Sequence, residues 1–371
     1  MLARHGRRVV VHERFEAARP VGAGFMLQPT GRHVMERLGL TAEVEALAQP
    51  IDRLFGCEAR RRRVVLDVRY RALGEGLEAL GVHRAGLFDI LHRACLAAGV
   101  TIETGREIAG VDGGRLLDDA GRSSAAFDLV VDASGGRSRI VAGRGQGPRP
   151  LAYGALWATI PFPGAPFQER SLEQVYRGAA KMAGVLPVGS RPGETQRLAT
   201  LFWSLRHVDH PRWLADGLDA WKGEVLTLWP ALEPVLNQIA EVEQLTFARY
   251  GHHTLARPCG DRLAVIGDAA HSTSPQLGQG VNMALLDAQA LADALEAEPA
   301  LDDGLARYCR ARRWHLRLYQ AISLVFTPFY QSDDAVRPWI HDHLLSRLAR
   351  LPFADRLLAA TVSGLLLDPR R

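Results

Sequence analysis

Lysine is almost missing from this chain of 371 residues. Lys181 and Lys222 are the only two, so the 45 basic residues are nearly all arginine. Against 41 acidic residues the formal net charge is only +4, too small for an electrostatic footprint on a polyanion, and no nucleic-acid partner is expected. The one basic run, Arg60 to Arg63, adjoins V-V-L-D-V-R-Y and reads as the solvated tip of a β-hairpin. Cysteine is scarce as well. Cys57, Cys95, Cys259 and Cys309 lie far apart without a C-x-x-C pair, which argues against a metal centre or a disulfide framework and suits a reducing cytoplasm. No apolar run reaches the roughly 20 residues needed to cross a bilayer, so no transmembrane segment is expected. The longest, Leu357 to Leu367, is broken by Ser363 and Gly364 and reads as a buried helix, with peripheral membrane association as the alternative. Met1 leads directly into charged residues without a signal-peptide pattern, and no repeats or low-complexity linkers follow.

What the chain does have is an ordinary globular balance, 47% hydrophobic and 23% charged, at a length that suits two interleaved domains. Its most informative stretch is Gly260 to Ala288, G-D-R-L-A-V-I-G-D-A-A-H-S-T-S-P-Q-L-G-Q-G-V-N-M-A-L-L-D-A. The pattern predicts a short apolar strand over Leu263 to Ile266, a turn carrying Asp268, a glycine-punctuated loop and a long Ala/Leu helix. A carboxylate at a strand end can accept hydrogen bonds from sugar hydroxyls. Gly278 and Gly280 allow close backbone approach to a ligand, and the helix start presents free N–H groups to it. An ordinary strand-turn-helix needs the apolar pattern but not Asp268, Pro275, Gly278, Gly280 and Asn282 together.

This segment closely resembles the second flavin-binding motif of the FAD-dependent aromatic hydroxylases, the single-component flavoprotein monooxygenases similar to p-hydroxybenzoate hydroxylase. The resemblance implies that Asp268 binds the ribityl chain and that Gly280, Val281 and Asn282 face the pyrimidine end of the isoalloxazine, with Pro275 shaping the pocket wall. It covers the chain from Met1 to about Ala294. In the same comparison, Val21 to Gly31 corresponds to a loop near the flavin ring, and Arg84 with Leu87 matches an R-x-x-L pair whose arginine lies close to the cofactor. Met1 to His5 read as the last turns of a first helix, Gly6 as its stop, and Arg8 to His12 as a second strand. Glu13 then falls at the strand end, placed for the hydroxyls of an adenosine ribose. The first strand and its G-x-G-x-x-G turn would lie upstream of Met1, and on that reading the chain as written holds FAD weakly. Gly22-Ala23-Gly24 is a decoy for that turn, since Leu27 occupies the position of the third glycine.

Asp128 to Ser138, D-L-V-V-D-A-S-G-G-R-S, resembles the family's central fingerprint G-A-D-G-x-x-S but departs from it. Asp132 replaces the first glycine and Ser134 the aspartate, which bears on the pyridine-nucleotide contact more than on FAD. D-A-S-G-G is also a near miss for the hydrolase elbow G-x-S-x-G, whose tight turn needs glycine where Asp132 stands. Trp157-Ala158-Thr159-Ile160-Pro161 departs from the W-x-W-x-I-P signature of flavin halogenases, having Leu156 and Ala158 at its tryptophan positions.

The expected fold is α/β: a discontinuous Rossmann-like FAD domain with an inserted mixed β-sheet substrate domain and a C-terminal helical tail. The divisions are 1–150 and 256–300 for the two parts of the FAD domain, 151–255 for the substrate domain, which holds five of the seven tryptophans, and 301–371 for the tail. In the tail, Ala306 to Leu324 forms an amphipathic helix interrupted by Pro328, with further helices after Pro338 and Pro352. The resemblance implies hydroxylation of an aromatic, phenolic or lipophilic small molecule, in which FAD is reduced by NADH or NADPH and one oxygen of O₂ is transferred. Two alternatives are an FAD-dependent reductase or dehydrogenase of the same superfamily and an inactive truncated relic. No side chain is assigned as a general acid or base, and no metal ligand is expected.

Overall fold

The computed structural model describes residues 1–17, 22–331 and 354–370. A 3₁₀ turn over Leu2–His5, stopped by Gly6, enters β1 (Val10–His12). β2 (Gly24–Leu27) leads into α1 (Pro29–Arg37) and α2 (Thr41–Leu47), and β3 (Gln49–Ile51) runs into the hairpin of β4 (Arg53–Glu58) and β5 (Val64–Arg69). β6 (Ala79–His83) passes directly into α3 (Arg84–Ala97). Then come β7 (Thr101–Glu103), the meander β8 (Ile108–Asp112), β9 (Arg115–Asp118) and β10 (Ser123–Ala126), β11 (Val130–Asp132) and α4 (Arg139–Gly143). β12 (Arg149–Pro150) precedes the long strands β13 (Tyr153–Pro161), β14 (Ser171–Arg177), β15 (Lys181–Gly189) and β16 (Leu198–Arg206). α5 (His210–Leu228) and α6 (Glu233–Leu236) are followed by the short strands β17 (Thr246–Ala248), β18 (Gly251–His252), β19 (Cys259–Gly260) and β20 (Leu263–Val265). α7 (Asp268–His271), α8 (Gly280–Ala297), α9 (Leu301–Tyr330) and α10 (Ala354–Ser363) complete the described elements.

Two parallel ladders mark the dinucleotide-type part: β1 pairs with β7, and β11 pairs with β20, Val130 facing Leu263. The second ladder joins strands from either side of the intervening sheet, so this domain is discontinuous in sequence. That sheet has seven strands in the order β17-β13-β16-β15-β14-β4-β5, antiparallel except between β14 and β4. Strict alternation builds its two faces. Leu156, Ala158, Ala183, Val185, Leu201 and Trp203 point to a core closed by α5 and α6. Met182, Leu186, Val188, Leu198 and Phe202 point to a second core shared with Met26 of β2, Ile51 of β3, Ala79 of β6 and Val362 of α10.

The hairpin β4–β5 lies within residues 1–150 yet supplies two strands to this sheet. Cys57 is buried in one core, and Leu54 and Val68 in the other, so the hairpin has two apolar faces and is covered only as part of a larger sheet. The tail also differs from expectation at Pro328. The proline does not interrupt α9, which continues to Tyr330. A proline this close to a helix end removes one backbone bond, and the last turn still closes through Gln331 N–H to Thr327 O at 2.8 Å. A helix after Pro352 begins at Ala354; the one expected after Pro338 lies outside the described residues. In the apolar run Leu357 to Leu367, α10 buries Ala359 and Val362 and exposes Leu357, so it packs by one face rather than being buried throughout. No described helix is long and apolar enough to cross a membrane.

Candidate functional site

β20 ends at Val265, and two residues later Gly267, with a φ of 60°, turns the chain sharply before Asp268 opens α7. Gly267, Ala269, Ala270 and His271 are buried, whereas Asp268 is exposed. Its carboxylate accepts no hydrogen bond from a described residue and points toward the start of α8. One of its oxygens lies 3.8 Å from where a Cβ on Gly280 would stand. Arg84, the first residue of α3, carries the opposing charge. Burial lowers its pKa and the Asp268 charge raises it, which places the two groups in one electrostatic neighbourhood. The guanidinium stands 5.6 Å from the Phe25 ring centroid.

The loop between α7 and α8 is shaped by a 3₁₀ turn, Pro275–Leu277, which Gly278 ends with a left-handed φ of 61°. A Cβ there would stand 3.2 Å from Met26 Cε, so glycine answers both the backbone conformation and the close approach of β2. Gln279 precedes α8 without a side-chain cap, leaving the first N–H groups of this helix open next to Asp268. Pro275 is exposed at the first position of its turn.

Asn282 and Val281 have roles the sequence did not reveal. Asn282 is fully buried and bonded to backbone: Nδ2 donates to Met26 O at 3.2 Å and Gly278 O at 3.0 Å, and Oδ1 accepts from Gln28 N–H at 2.8 Å. It brackets β2 to the loop, so its side chain is a positioning group, and what it can offer a ligand is its backbone N–H. Val281 packs into the apolar core between α1 and α3. Glu13 does stand at the end of β1, but its Oε1 accepts the Phe15 N–H at 3.1 Å, and it shares no hydrogen bond or ion pair with the Asp268 cluster.

Beneath the loop lies a charged network absent from the sequence-based reading. Asp287 on α8 is fully buried and accepts from Gly267 N–H at 2.9 Å, from His271 Nε2 at 2.5 Å and from Arg312 Nε at 2.7 Å. Burial pushes its carboxyl up, and His271 and Arg312 more than offset this, holding it far below the usual carboxylate range. The network extends through Arg312 to His315 Nδ1 at 3.3 Å and from His315 Nε2 to Gly364 O at 2.9 Å, so His315 is neutral with its proton on Nε2. Burial pushes His315 down to about 4. A signal was present: the lone carboxylate in the largely apolar helix segment M-A-L-L-D-A-Q-A-L needs buried partners. The loop is tied on its other side as well. His253 contacts Ser272 Oγ at 2.8 Å and Ala269 O at 3.0 Å. Asp132 closes its own turn by accepting from the Ser134 and Ser138 hydroxyls at 2.6 and 2.5 Å, so Ser134 is a turn donor. In that turn, a Cβ on Gly136 would lie 4.0 Å from Asp268 O, so the fingerprint turn and the Asp268 loop meet.

An exposed carboxylate without a hydrogen-bond partner among the described residues, an uncapped helix start, a cradle that a Cβ would narrow and one nearby arginine suit a ligand with sugar hydroxyls and a heterocycle bearing acceptor atoms. FAD has both. The family described as "FAD binding domain" matches residues 1–318. The chain belongs to this family. It is an FAD-dependent oxidoreductase of the flavoprotein monooxygenase type, and the expected α/β architecture holds. As a member of the family, it is 28% identical over 379 residues to the aurachin C monooxygenase/isomerase of Stigmatella aurantiaca, covering 99% of this chain and 94% of that protein. It is 26% identical over 320 residues to the 2-heptyl-3-hydroxy-4(1H)-quinolone synthase of Mycobacteroides abscessus, covering 84% and 81%. In fold it is similar to 2-methyl-3-hydroxypyridine-5-carboxylic acid oxygenase, with a TM-score of 0.79 at 23% identity over 98% of this chain and 91% of that one.

Proposed function

We propose that this flavoprotein hydroxylates a flat aromatic or phenolic small molecule, using NADH or NADPH to reduce FAD and O₂ as the oxygen source. The observation that carries the reading is the meeting of the unpaired Asp268 carboxylate with the open start of α8. In this reading Asp268 accepts hydrogen bonds from the ribityl hydroxyls, and Glu13 does the same for the adenosine ribose. The N–H groups of Gly280, Val281 and Asn282 stabilise negative charge at the pyrimidine end. Gly278 leaves room for the ring, Arg84 contributes a positive charge beside it, and Pro275 forms part of the pocket wall. When bound, FAD supplies the electron transfer and oxygen activation, while the chain orients the reactants and excludes water. The apolar sheet face behind the loop supports a lipophilic substrate, as do the names of the two relatives above.

Oxygen-isotope labelling tests the reaction class. With 4(1H)-quinolone as the probe substrate, NADH or NADPH oxidation is expected to rise on its addition, and the product should carry one ¹⁸O atom from ¹⁸O₂. A product that forms equally well without oxygen would favour the reductase or dehydrogenase alternative.

A further inference from the structure

Two of the four cysteines, far apart in sequence, meet in the folded chain. Cys259 lies on β19, the last strand of the β11-β20-β19 sheet, and Cys309 lies on α9, which packs against β19. Both are free, half-buried thiols beside the cluster of Ala264, Leu291, Leu295 and Tyr308. Their side chains share a hydrogen bond. Cys57, on β4, and Cys95, on α3, belong to other parts of the fold. The bond makes the two sulfurs unequal. Donating to Cys309, together with burial, raises the Cys259 pKa. Accepting that bond lowers the Cys309 pKa, against burial, and the charge of Arg313 one turn further along α9 acts in the same direction. Cys309 is therefore the sulfur that ionises first, and the thiolate is the reactive form.

Both cysteines stand on supports of the Asp268 loop. Cys259 pairs with Ala264 on β20, the strand that leads into Gly267. Cys309 precedes Arg312 by about one turn of α9, and Arg312 Nε donates to Asp287 at 2.7 Å. Asp287 in turn accepts the Gly267 N–H at 2.9 Å. A covalent link between the two sulfurs would close this circuit, fixing α9 to the sheet on the side opposite the Arg312–Asp287 pair.

We propose that Cys259 and Cys309 form a reversible redox-modification site, at which hydrogen peroxide joins the two sulfurs and the resulting disulfide clamps α9 to β19. The Cys309 thiolate attacks peroxide: an S–O bond forms, the O–O bond breaks, and hydroxide leaves and takes up a proton to become water. The Cys259 thiol then attacks the sulfenic sulfur of Cys309. The S–S bond forms, the S–O bond breaks, and water leaves with the Cys259 proton. The two thiols together lose two electrons, and peroxide is reduced to water. A dithiol reductant restores both thiols. The site is independent of which substrate the enzyme takes.

The test treats the FAD-loaded wild-type, Cys259→Ser and Cys309→Ser proteins with hydrogen peroxide. Remaining thiols are alkylated after denaturation and the peptides are mapped without reduction. In the wild type the Cys259 and Cys309 peptides are expected to be joined, while Cys57 and Cys95 remain alkylated. The melting temperature should rise by about 5 °C, the scale expected for closing a loop of roughly 50 residues, and return on addition of dithiothreitol. C259S removes the second sulfur, so dimedone should trap sulfenic acid at Cys309. C309S should leave Cys259 as an unreacted thiol. Wild-type protein that keeps both thiols, or that links them only between two chains, overturns the site. A joined pair without the reversible rise overturns the clamp, and a dimedone adduct on Cys259 in C309S overturns Cys309 as the attacking sulfur.

Discussion

Along β13, β15 and β16 the buried side chains are aliphatic or aromatic apart from Thr200 and Ser204, and most are held by area and by the register of neighbouring strands. Between Gly267 and Asn282 the buried side chains include His271, Ser272, Gln279 and Asn282, most of them held by directional bonds to distant parts of the chain. Asn282 and Gln28 are 254 positions apart, and Asp287 and Arg312 are on different helices. A core of the first kind tolerates exchange of one apolar group for another of similar volume. One of the second kind does not, because removing one partner strands another polar group. The sheet therefore sets stability, and the directional bonds of the loop fix its own geometry.

The largest expected effect is on the sheet side. Trp203→Ala removes a ring that is 1% exposed at the centre of the first core and should cost about 3–5 kcal/mol in denaturant unfolding. If the division is real, the folded fraction of W203A should bind FAD with wild-type affinity. A weakened affinity would mean that sheet packing also sets the cofactor geometry.

Next in size is a pH effect in the polar network. His315 is neutral when folded because burial lowers its pKa from the ordinary 6.5 to about 4, so the unfolded chain takes up a proton there first. Its contribution is therefore complete above pH 6.5 and is lost as pH falls toward 4, a total of about 3 kcal/mol. Thermal melts of wild type and His315→Gln across this range should show a smaller pH-dependent fall in the variant. Parallel curves would remove His315 as a source of acid sensitivity.

The smallest effect on folding should come from the residue proposed to bind the ribityl chain. Asp268→Ala deletes an exposed carboxylate, so the melting temperature without FAD should hardly move. FAD affinity, measured by fluorescence titration, should fall about ten- to a hundredfold, equivalent to roughly 1.5–3 kcal/mol. Unchanged affinity would withdraw the ribityl role from Asp268.

Much of this was legible in the residues. The strand-turn-helix around Asp268 has bounds close to those its apolar periodicity predicts, because local patterning and glycine placement determine such units. The hairpin around Arg60 to Arg63 was legible for the same reason. Its membership of the large sheet was not, since which strand edge a hairpin joins depends on partners far away in the chain. Asn282 shows the same limit within the site: its position after the glycines is a sequence property, but its bonds to Met26, Gly278 and Gln28 exist only once β2 lies against the loop.

The sequence by itself determined the element types, the alternating faces of the long strands and the carboxylate-glycine-helix unit that suits FAD, because each depends on residues within one or two turns or strands of one another. Only the tertiary structure decided that Asp287, His271 and Arg312 form one buried network, that the D-A-S-G-G turn meets the Asp268 loop, and that Trp157 donates to the Tyr250 hydroxyl. Those arrangements need residues tens to hundreds of positions apart to be brought within hydrogen-bond or van der Waals range, and strand order and helix packing alone supply that proximity.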